Sequence, residues 1–281
     1  MEGQIIKIIS NDFTVLCTDG LEHICKARGK FRNMKVVPLV GDHVKIDAEN
    51  NYIMELLPRK NELVRPTICN IDRVFIIAAT TKPEFDSNLL DKLLVISEFN
   101  QIEPIICLTK IDLLTEEKFE ELKPIIEYYQ KIGYEVVINT ELDRIKDLLK
   151  DKVTVFTGQS GAGKSTLLNS IDKDFDIKTD EISIALGRGK HTTRHTELLH
   201  TCGGWVADTP GFSSLEFDMV GMSKSDIRDN FIDFQELRDE CKYKDCMHYH
   251  DDKCKIKEEV QKGNIIKSRY KNYIKFITDK E

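Results

Sequence analysis

The sequence predicts a multi-domain protein with a small N-terminal β-barrel, a central α/β domain and a mainly helical C-terminal domain. Short β-prone runs separated by turn residues occupy residues 1–65. Apolar strands alternate with amphipathic helices over residues 66–214, a pattern typical of a largely parallel sheet covered by helices. Residues 215–281 are highly charged, lack strand-like runs and contain a cluster of Cys and His. We therefore predict three domains with these boundaries.

Length and composition limit the class of protein. A chain of 281 residues that is 41% hydrophobic can form two or three packed domains. Its longest apolar runs, such as residues 74–79, are strand-sized and fall far short of the roughly 20 residues of a membrane helix. The N-terminus has no secretion-signal pattern, so we expect a cytosolic protein. The net charge of −7 argues against nucleic-acid binding over the whole surface, but not against a local basic patch.

Five of the eight cysteines are scattered along the chain, usually beside apolar residues. This distribution favours reduced core thiols over a disulfide framework. They are Cys17, Cys25, Cys69, Cys107 and Cys202.

The N-terminal region contains five short strand-like runs. Five strands in this length suggest a small closed barrel, either an OB-fold or an SH3-like barrel, since strand count does not separate the two. Between Cys25 and Val37 the segment contains five cations and no acidic residue, which indicates either a solvated face or a surface for RNA. The cations are Lys26, Arg28, Lys30, Arg32 and Lys35.

A phosphate-binding loop is predicted at residues 158–165, "GQSGAGKS", which fits G-x-x-x-x-G-K-[ST] between a strand and a helix. Its glycines let backbone N–H groups turn toward phosphate, and the helix N-terminus adds its positive dipole end. Lys164 would neutralise the β- and γ-phosphates, and the Ser165 hydroxyl would bind Mg²⁺. The predicted nucleotide contacts are Gly158, Gln159, Ser160, Gly161, Ala162, Gly163, Lys164, Ser165 and Thr166.

Two further segments resemble nucleotide switches. In "ADTPGF", Asp208 would hold Mg²⁺ through water, and the Gly211 N–H would meet the γ-phosphate. The charged loop 186–199 should close on Mg²⁺ and the γ-phosphate through a threonine. We favour Thr193, with Thr192 as the competitor; the alternative is an ordinary surface loop.

The stretch "CLTKID" (107–112) resembles a guanine-reading motif. The Asp112 carboxylate can accept both N1–H and the 2-amino group of guanine, and the Lys110 alkyl chain can cover the base. Thr109 replaces the asparagine of the usual N-K-x-D pattern, and Asn139 with Thr140 occupies the place of a second base loop. Because this motif precedes the phosphate loop, the sequence predicts a circular permutation, with the geometry of the ligand site preserved at the strand ends.

A metal site is predicted from "CKYKDCMHYHDDKC" (241–254). Its C-x4-C-x-H-x5-C spacing offers three thiolates and one imidazole for a tetrahedral structural Zn²⁺. The predicted ligands are Cys241, Cys246, His248 and Cys254. His250 is an alternative imidazole that spacing does not exclude, and free thiols with a surface histidine are the simpler interpretation.

Together, the permuted order, the phosphate loop, the H-T-T segment and the Cys/His spacing resemble the RsgA family (YjeQ or YloQ), the bacterial small ribosomal subunit biogenesis GTPases. The resemblance covers nearly the whole chain. It implies an OB-fold, a permuted GTPase domain with GTP or GDP and Mg²⁺, and a zinc domain. It also implies late maturation of the small subunit with rRNA contacts, and a basic segment that faces RNA.

The resemblance also implies catalytic residues. It assigns His191 as the group that orients water, beside Thr193 and Lys164. Phe212 stands where Ras-like enzymes have a water-positioning glutamine, so we expect slow intrinsic hydrolysis. Two rival interpretations remain: an RNA-binding module whose nucleotide only fixes its shape, and a metabolic P-loop ATPase or kinase. No sustained heptad repeat indicates a coiled-coil dimer, so we expect a monomer.

Overall fold

The structure is a computed structural model that describes residues 1–29, 31, 36–64, 67–172, 197–208 and 214–279, with only the backbone at Asp208. Packing divides the chain into two compact units. One comprises residues 1–74, 141–157 and 164–212, and the other comprises residues 75–140, 158–163 and 213–281. The three-domain division remains a sequence prediction.

A closed five-stranded barrel forms the N-terminal region. Its strands are β1 (Glu2–Ile9), β2 (Asp12–Cys17), β3 (Glu22–Ala27), β4 (His43–Asp47) and β5 (Tyr52–Leu56). The order around the barrel is β1-β2-β3-β5-β4; β1 pairs with both β2 and β4, and β3 pairs parallel with β5. This is the OB-type barrel, so of the two predicted architectures the structure has the first.

Alternating side chains fill the barrel. In β2, Phe13, Val15 and Cys17 are buried while the residues between them are partly exposed. Such a period of two is expected where one sheet face lines a core. These residues pack with Ile5 and Ile53, both 0% exposed, so the predicted strands converge on one apolar interior.

A six-stranded sheet forms the central region, in the order β10-β9-β8-β11-β13-β12. The strands are β8 (Arg73–Ala79), β9 (Glu103–Thr109), β10 (Glu135–Ile138), β11 (Val153–Gly158), β12 (Leu198–Thr201) and β13 (Gly204–Asp208). The pairs β9–β10 and β11–β13 are parallel, and β12 is an antiparallel edge. Two short strands, β6 (Glu62–Leu63) and β7 (Ile68–Cys69), form a separate pair. The near-continuous apolar runs of β8 and β9 are typical of strands that are buried on both faces of a sheet.

The helices that follow these strands begin where sequence signals place them. They are α1 (Ser87–Phe99), α2 (Glu116–Lys131), α3 (Leu142–Leu149) and α4 (Lys164–Ile171). Asp86 caps α1 by accepting hydrogen bonds from the N–H groups of Asn88 and Leu89, and Thr115 caps α2. The structure thus confirms that helices alternate with strands in the predicted α/β region.

The C-terminal region is helical, as predicted. It contains α5 (Lys224–Asp229), α6 (Ile232–Gln235), α7 (Lys255–Lys262) and α8 (Lys267–Thr278). Short 3-10 turns lie at Ile111–Leu113, Phe217–Val220 and Arg238–Glu240. The Cys/His cluster occupies the loop between the last of these turns and α7. Within the described ranges, no helix has the length and apolarity needed to cross a bilayer.

Candidate functional site

The predicted phosphate loop connects β11 to α4. Gly158, the last residue of β11, has φ +150°, and Gly163, just before α4, has φ +96°. A Cβ on Gly158 would lie 2.3 Å from the Ile77 carbonyl oxygen, so no other residue fits there without moving backbone. The Ala162 N–H closes a turn on the Gln159 carbonyl at 3.0 Å. The loop thus has the backbone conformation that lets N–H groups surround an anion.

The first turn of α4 contains the charged and hydroxyl groups of the motif. Lys164 is half-buried, Ser165 is 3% exposed, and Thr166 is exposed. Because four N–H groups at a helix start lack intrahelical partners, this end of α4 is suited to phosphate.

The base-reading motif is joined to the phosphate loop by Thr109. Its hydroxyl donates a hydrogen bond to the Ala162 carbonyl at 2.6 Å, and its own carbonyl accepts from the Thr80 hydroxyl at 2.9 Å. Thr109 is 2% exposed. The hydroxyl of the residue that replaces the usual asparagine therefore joins the two loops.

Lys110 also connects the base-reading motif to the phosphate loop. It adopts a left-handed conformation with φ +60°, and its ammonium donates to the Gly161 carbonyl at 2.7 Å and to the Lys82 carbonyl. Asp112 follows in the 3-10 turn and is exposed. The backbone of Thr109 and Lys110 is thereby held on the phosphate loop, while the Asp112 carboxylate stays accessible to a base.

The second base loop follows β10. The Asn139 N–H donates to the Leu108 carbonyl at 2.9 Å, so Asn139 lies beside the end of β9, and Thr140 is exposed. The predicted switch residues His191, Thr192, Thr193 and Gly211, and the side chain of Asp208, lie outside the described residues.

The C-terminal cluster brings together the four predicted ligand residues. One side-chain atom each from Cys241, Cys246, His248 and Cys254 lies within 4.8 Å of all the others. His248 Nδ1 is 3.6 Å from Cys241 Sγ and 3.4 Å from Cys254 Sγ, and the two sulfurs are 4.0 Å apart. Tetrahedral Zn²⁺ with ordinary bond lengths separates sulfur from nitrogen by about 3.5 Å and sulfur from sulfur by about 3.8 Å. These spacings fit one zinc ion.

Tyrosines of α8 support the loop that presents His248. The Tyr270 hydroxyl donates to the His248 carbonyl at 2.7 Å, and the Tyr273 hydroxyl donates to the Met247 carbonyl at 2.6 Å. Asp251 accepts the Met247 N–H at 3.0 Å. The ligand loop is therefore held in place by the last helix of the chain.

The lowered pKa of His248 is suited to a metal ligand. Burial, and then the charge of Arg228, lowers the pKa of His248 to about 4, so its ring is neutral near pH 7. Its Nε2 is buried without a hydrogen-bond partner in the described part of the chain, so Nδ1 is the nitrogen directed at sulfur. His250 is exposed, its ring contacts that of Tyr249 with centroids 3.6 Å apart, and it is not among the four clustered residues.

Comparison with known proteins identifies the family. The model of the RsgA GTPase matches residues 56–218, and the model of the RsgA N-terminal domain matches residues 2–53. The chain belongs to the RsgA GTPase family. It is therefore a GTP hydrolase.

Relatives match the chain over nearly its whole length. The small ribosomal subunit biogenesis GTPase RsgA of Bacillus subtilis is 45% identical over 290 residues, covering 99% of this chain and 97% of that protein. The protein of the same name from Enterococcus faecalis is 43% identical, covering 100% and 96%.

Two crystal structures share the RsgA-family fold. YloQ, described as a circularly permuted GTPase, superposes with a TM-score of 0.84 at 38% identity and covers 100% of this chain and 96% of that one. YjeQ from Thermotoga maritima has a TM-score of 0.85 at 30% identity, covering 99% and 97%. The predicted circular permutation is confirmed: β9, the strand that ends at the predicted base-reading motif, precedes the phosphate loop in the chain.

Two contributors to the site were not found from sequence. The Thr80 hydroxyl donates a hydrogen bond to the Thr109 carbonyl, and the Ile77 carbonyl leaves no room for a side chain at position 158. Both lie in or just after β8, an apolar strand with no motif of its own, so only the folded backbone reveals their roles.

Proposed function

We propose that this chain is a GTPase that binds the small ribosomal subunit and its rRNA, assists late maturation of that subunit, and hydrolyses GTP faster when bound to it. The main observation that supports GTP binding is the 2.6 Å hydrogen bond from the Thr109 hydroxyl to the Ala162 carbonyl, which joins segments 53 residues apart. The names of the RsgA relatives support the ribosomal part. We expect a monomer that acts in the cytosol.

GTP would be held by its phosphates and its base. The N–H groups of residues 158–166 and the Lys164 ammonium would surround the β- and γ-phosphates. Ser165 and, through water, Asp208 would hold Mg²⁺. Asp112 would accept the two guanine donors, and Lys110, anchored on Gly161, would cover the base. Adenine lacks those donors, so GTP is preferred over ATP.

Hydrolysis would depend on the switch segments. Thr193, or its competitor Thr192, would close on Mg²⁺ and the γ-phosphate, and the Gly211 N–H would meet that phosphate. His191 would orient the attacking water, since Phe212 has no hydrogen-bonding group. Without its partner the enzyme would turn over at roughly 10⁻⁴ to 10⁻² s⁻¹, the range of unassisted GTPases.

The two outer regions would supply the binding surfaces. Cys241, Cys246, His248 and Cys254 would hold one structural Zn²⁺ that organises the C-terminal loop. On the barrel, the Arg28 guanidinium lies 5.9 Å from the centre of the Tyr52 ring, and Lys26 pairs with Asp12. Cations beside an aromatic ring are suited to RNA phosphates and bases.

The deciding experiment measures steady-state GTP hydrolysis, with ATP as control, with and without purified bacterial small ribosomal subunits. We expect strong, GTP-selective stimulation, its loss in Lys164→Ala, and its loss with GTP binding retained in His191→Ala. His200→Ala, an exposed histidine on β12, is the matched control.

Each other outcome points to a different conclusion. Tight GTP binding without stimulation would remove the ribosomal partner and keep the GTPase. RNA binding that is unchanged in Lys164→Ala, without turnover in either protein, would favour the RNA-binding module. Equal use of ATP would favour a metabolic ATPase.

A further inference from the structure

The β2–β3 hairpin of the barrel carries a second group of metal-binding side chains. The hairpin turn is closed by the Cys17 N–H, which donates to the Leu21 carbonyl at 2.9 Å, and by the Gly20 N–H, which donates to the Cys17 carbonyl at 2.9 Å. Across the ladder, Val15 is paired directly with His23. Opposed residues of an antiparallel pair point to the same face. His23 therefore shares the interior face of Val15 and Cys17, at the end of the barrel.

Three potential ligand atoms converge at this end. One atom each from Cys17, Asp19 and His23 lies within 4.8 Å of the other two. Asp19 Oδ1 accepts the Leu21 N–H at 3.0 Å, which orients the carboxylate, and Asp19 Oδ2 lies 3.8 Å from His23 Nε2. That separation is too long for a hydrogen bond. It is close to the roughly 3.4 Å between two ligands of a tetrahedral zinc ion.

An unsatisfied nitrogen supports the assignment independently. His23 Nε2 is buried and has no hydrogen-bond partner among the residues that the structure describes. The His23 side chain is 19% exposed, so most of its ring is removed from water. Buried polar nitrogens are rarely left unsatisfied, and a bound ion or water is the usual explanation. A cation between His23, Cys17 and Asp19 satisfies this nitrogen.

The donor set indicates which cation. Thiolate and imidazole together favour zinc over calcium or magnesium, which prefer oxygen ligands. We infer that Cys17, Asp19 and His23 bind a Zn²⁺ ion that clamps the β2–β3 hairpin, with water as the fourth ligand. The Asp19 side chain is 34% exposed, so the fourth position would face solvent. Cys17, interpreted from sequence as a reduced core thiol, is then a metal ligand.

The sequence alone does not reveal this site. The spacing C-x-D-x3-H matches none of the zinc patterns that sequence reasoning uses. The three residues meet because the tight turn folds β3 back on β2 and places position 23 opposite position 15. The inference is independent of the proposed ribosomal function.

The test counts zinc in the full-length protein. Each variant is equilibrated with excess Zn²⁺, freed of unbound ion and measured by mass spectrometry together with protein concentration. We expect wild-type protein to contain one more zinc per chain than His23→Gln. His43→Gln, an exposed histidine on β4, should match the wild type. Equal zinc content in wild type and His23→Gln overturns the proposal.

A second variant and a spectroscopic readout separate ligand loss from misfolding. Asp19→Asn keeps the carbonyl oxygen that accepts from Leu21, so the turn should persist while zinc affinity at this site falls at least about tenfold. With Co²⁺ in place of Zn²⁺, the wild-type minus His23→Gln difference spectrum should show the charge-transfer band of a single thiolate. Unchanged affinity in Asp19→Asn contradicts the assignment even if His23→Gln is misfolded, and a difference spectrum without that band contradicts it when His23→Gln is folded.

Discussion

Arg269 Nη1 lies 2.5 Å from Asp91 Oδ1, and both side chains are 0% exposed. The pair joins α8 to α1. Asp91 also accepts hydrogen bonds from the Tyr129 hydroxyl at 2.8 Å and from the Asn272 amide at 2.7 Å, while Arg269 binds Asp233 at 2.8 Å. Each charge is thus paired and makes further hydrogen bonds, the condition under which buried ions are tolerated.

Removing one member of this network should destabilise the protein strongly. We expect Asp91→Ala to lower the free energy of unfolding by about 3–5 kcal/mol, because it leaves the buried Arg269 charge without one of its two carboxylates. Urea unfolding followed by tyrosine fluorescence measures the change. Glu258→Ala, which breaks the exposed pair with Lys262 on α7, is the control and should lower the stability far less than Asp91→Ala does. Equal effects of the two variants would show that the buried pair contributes little.

The Thr109 hydroxyl should matter for nucleotide affinity. Thr109→Val keeps the side-chain volume but leaves the Ala162 carbonyl without its donor, and we expect GTP to bind about tenfold more weakly. Thr109→Ser restores a hydroxyl and should recover most of the affinity. Calorimetric titration with GDP and a non-hydrolysable GTP analogue measures both. If valine and serine variants bind alike, the hydrogen bond does not organise the site.

Asp112 should determine base selectivity. In Asp112→Asn one carboxylate oxygen becomes an amide donor that faces the guanine 2-amino group, so GTP affinity should fall roughly 10- to 100-fold. Xanthine has a carbonyl in that position, and xanthosine triphosphate should bind the variant better than GTP does. Competition binding of the two nucleotides gives the ratio. Glu117→Gln removes an exposed charge on α2 and should leave base selectivity unchanged. If Asp112→Asn still prefers GTP over xanthosine triphosphate, Asp112 is not the base reader.

The two histidines of the 241–254 loop should behave differently. His248→Ala removes a nitrogen that lies 3.4 Å from Cys254 Sγ, and we expect loss of the proposed zinc ion and a lower melting temperature of the C-terminal region. His250→Ala removes an exposed ring and should retain both. Zinc content and circular dichroism melting are measured on each variant. Zinc loss in His250→Ala with retention in His248→Ala would reverse the ligand assignment.

Much of this protein follows from local sequence pattern. The glycine spacing with Lys164 and Ser165, the Cys/His spacing of residues 241–254, and the alternation of strands and helices are each set by residues close together in the chain. The chemistry they indicate, phosphate binding and tetrahedral metal binding, depends mainly on which atoms a short segment offers. Fold class, GTP binding and the permuted order were therefore predictable, and the combination of these motifs indicated the family by resemblance.

Only the tertiary structure decided which distant groups meet. The sequence does not indicate that the Thr109 hydroxyl binds the Ala162 carbonyl or that Ile77 leaves no room for a side chain at Gly158. It also does not indicate that His23 lies beside Cys17. Arg269, a cation on a helix, would ordinarily be expected at the surface, yet it is completely buried because carboxylates from two other segments converge on it. Hydrogen bonds and close packing act over a few ångströms in space, so their partners become known only when the chain is folded.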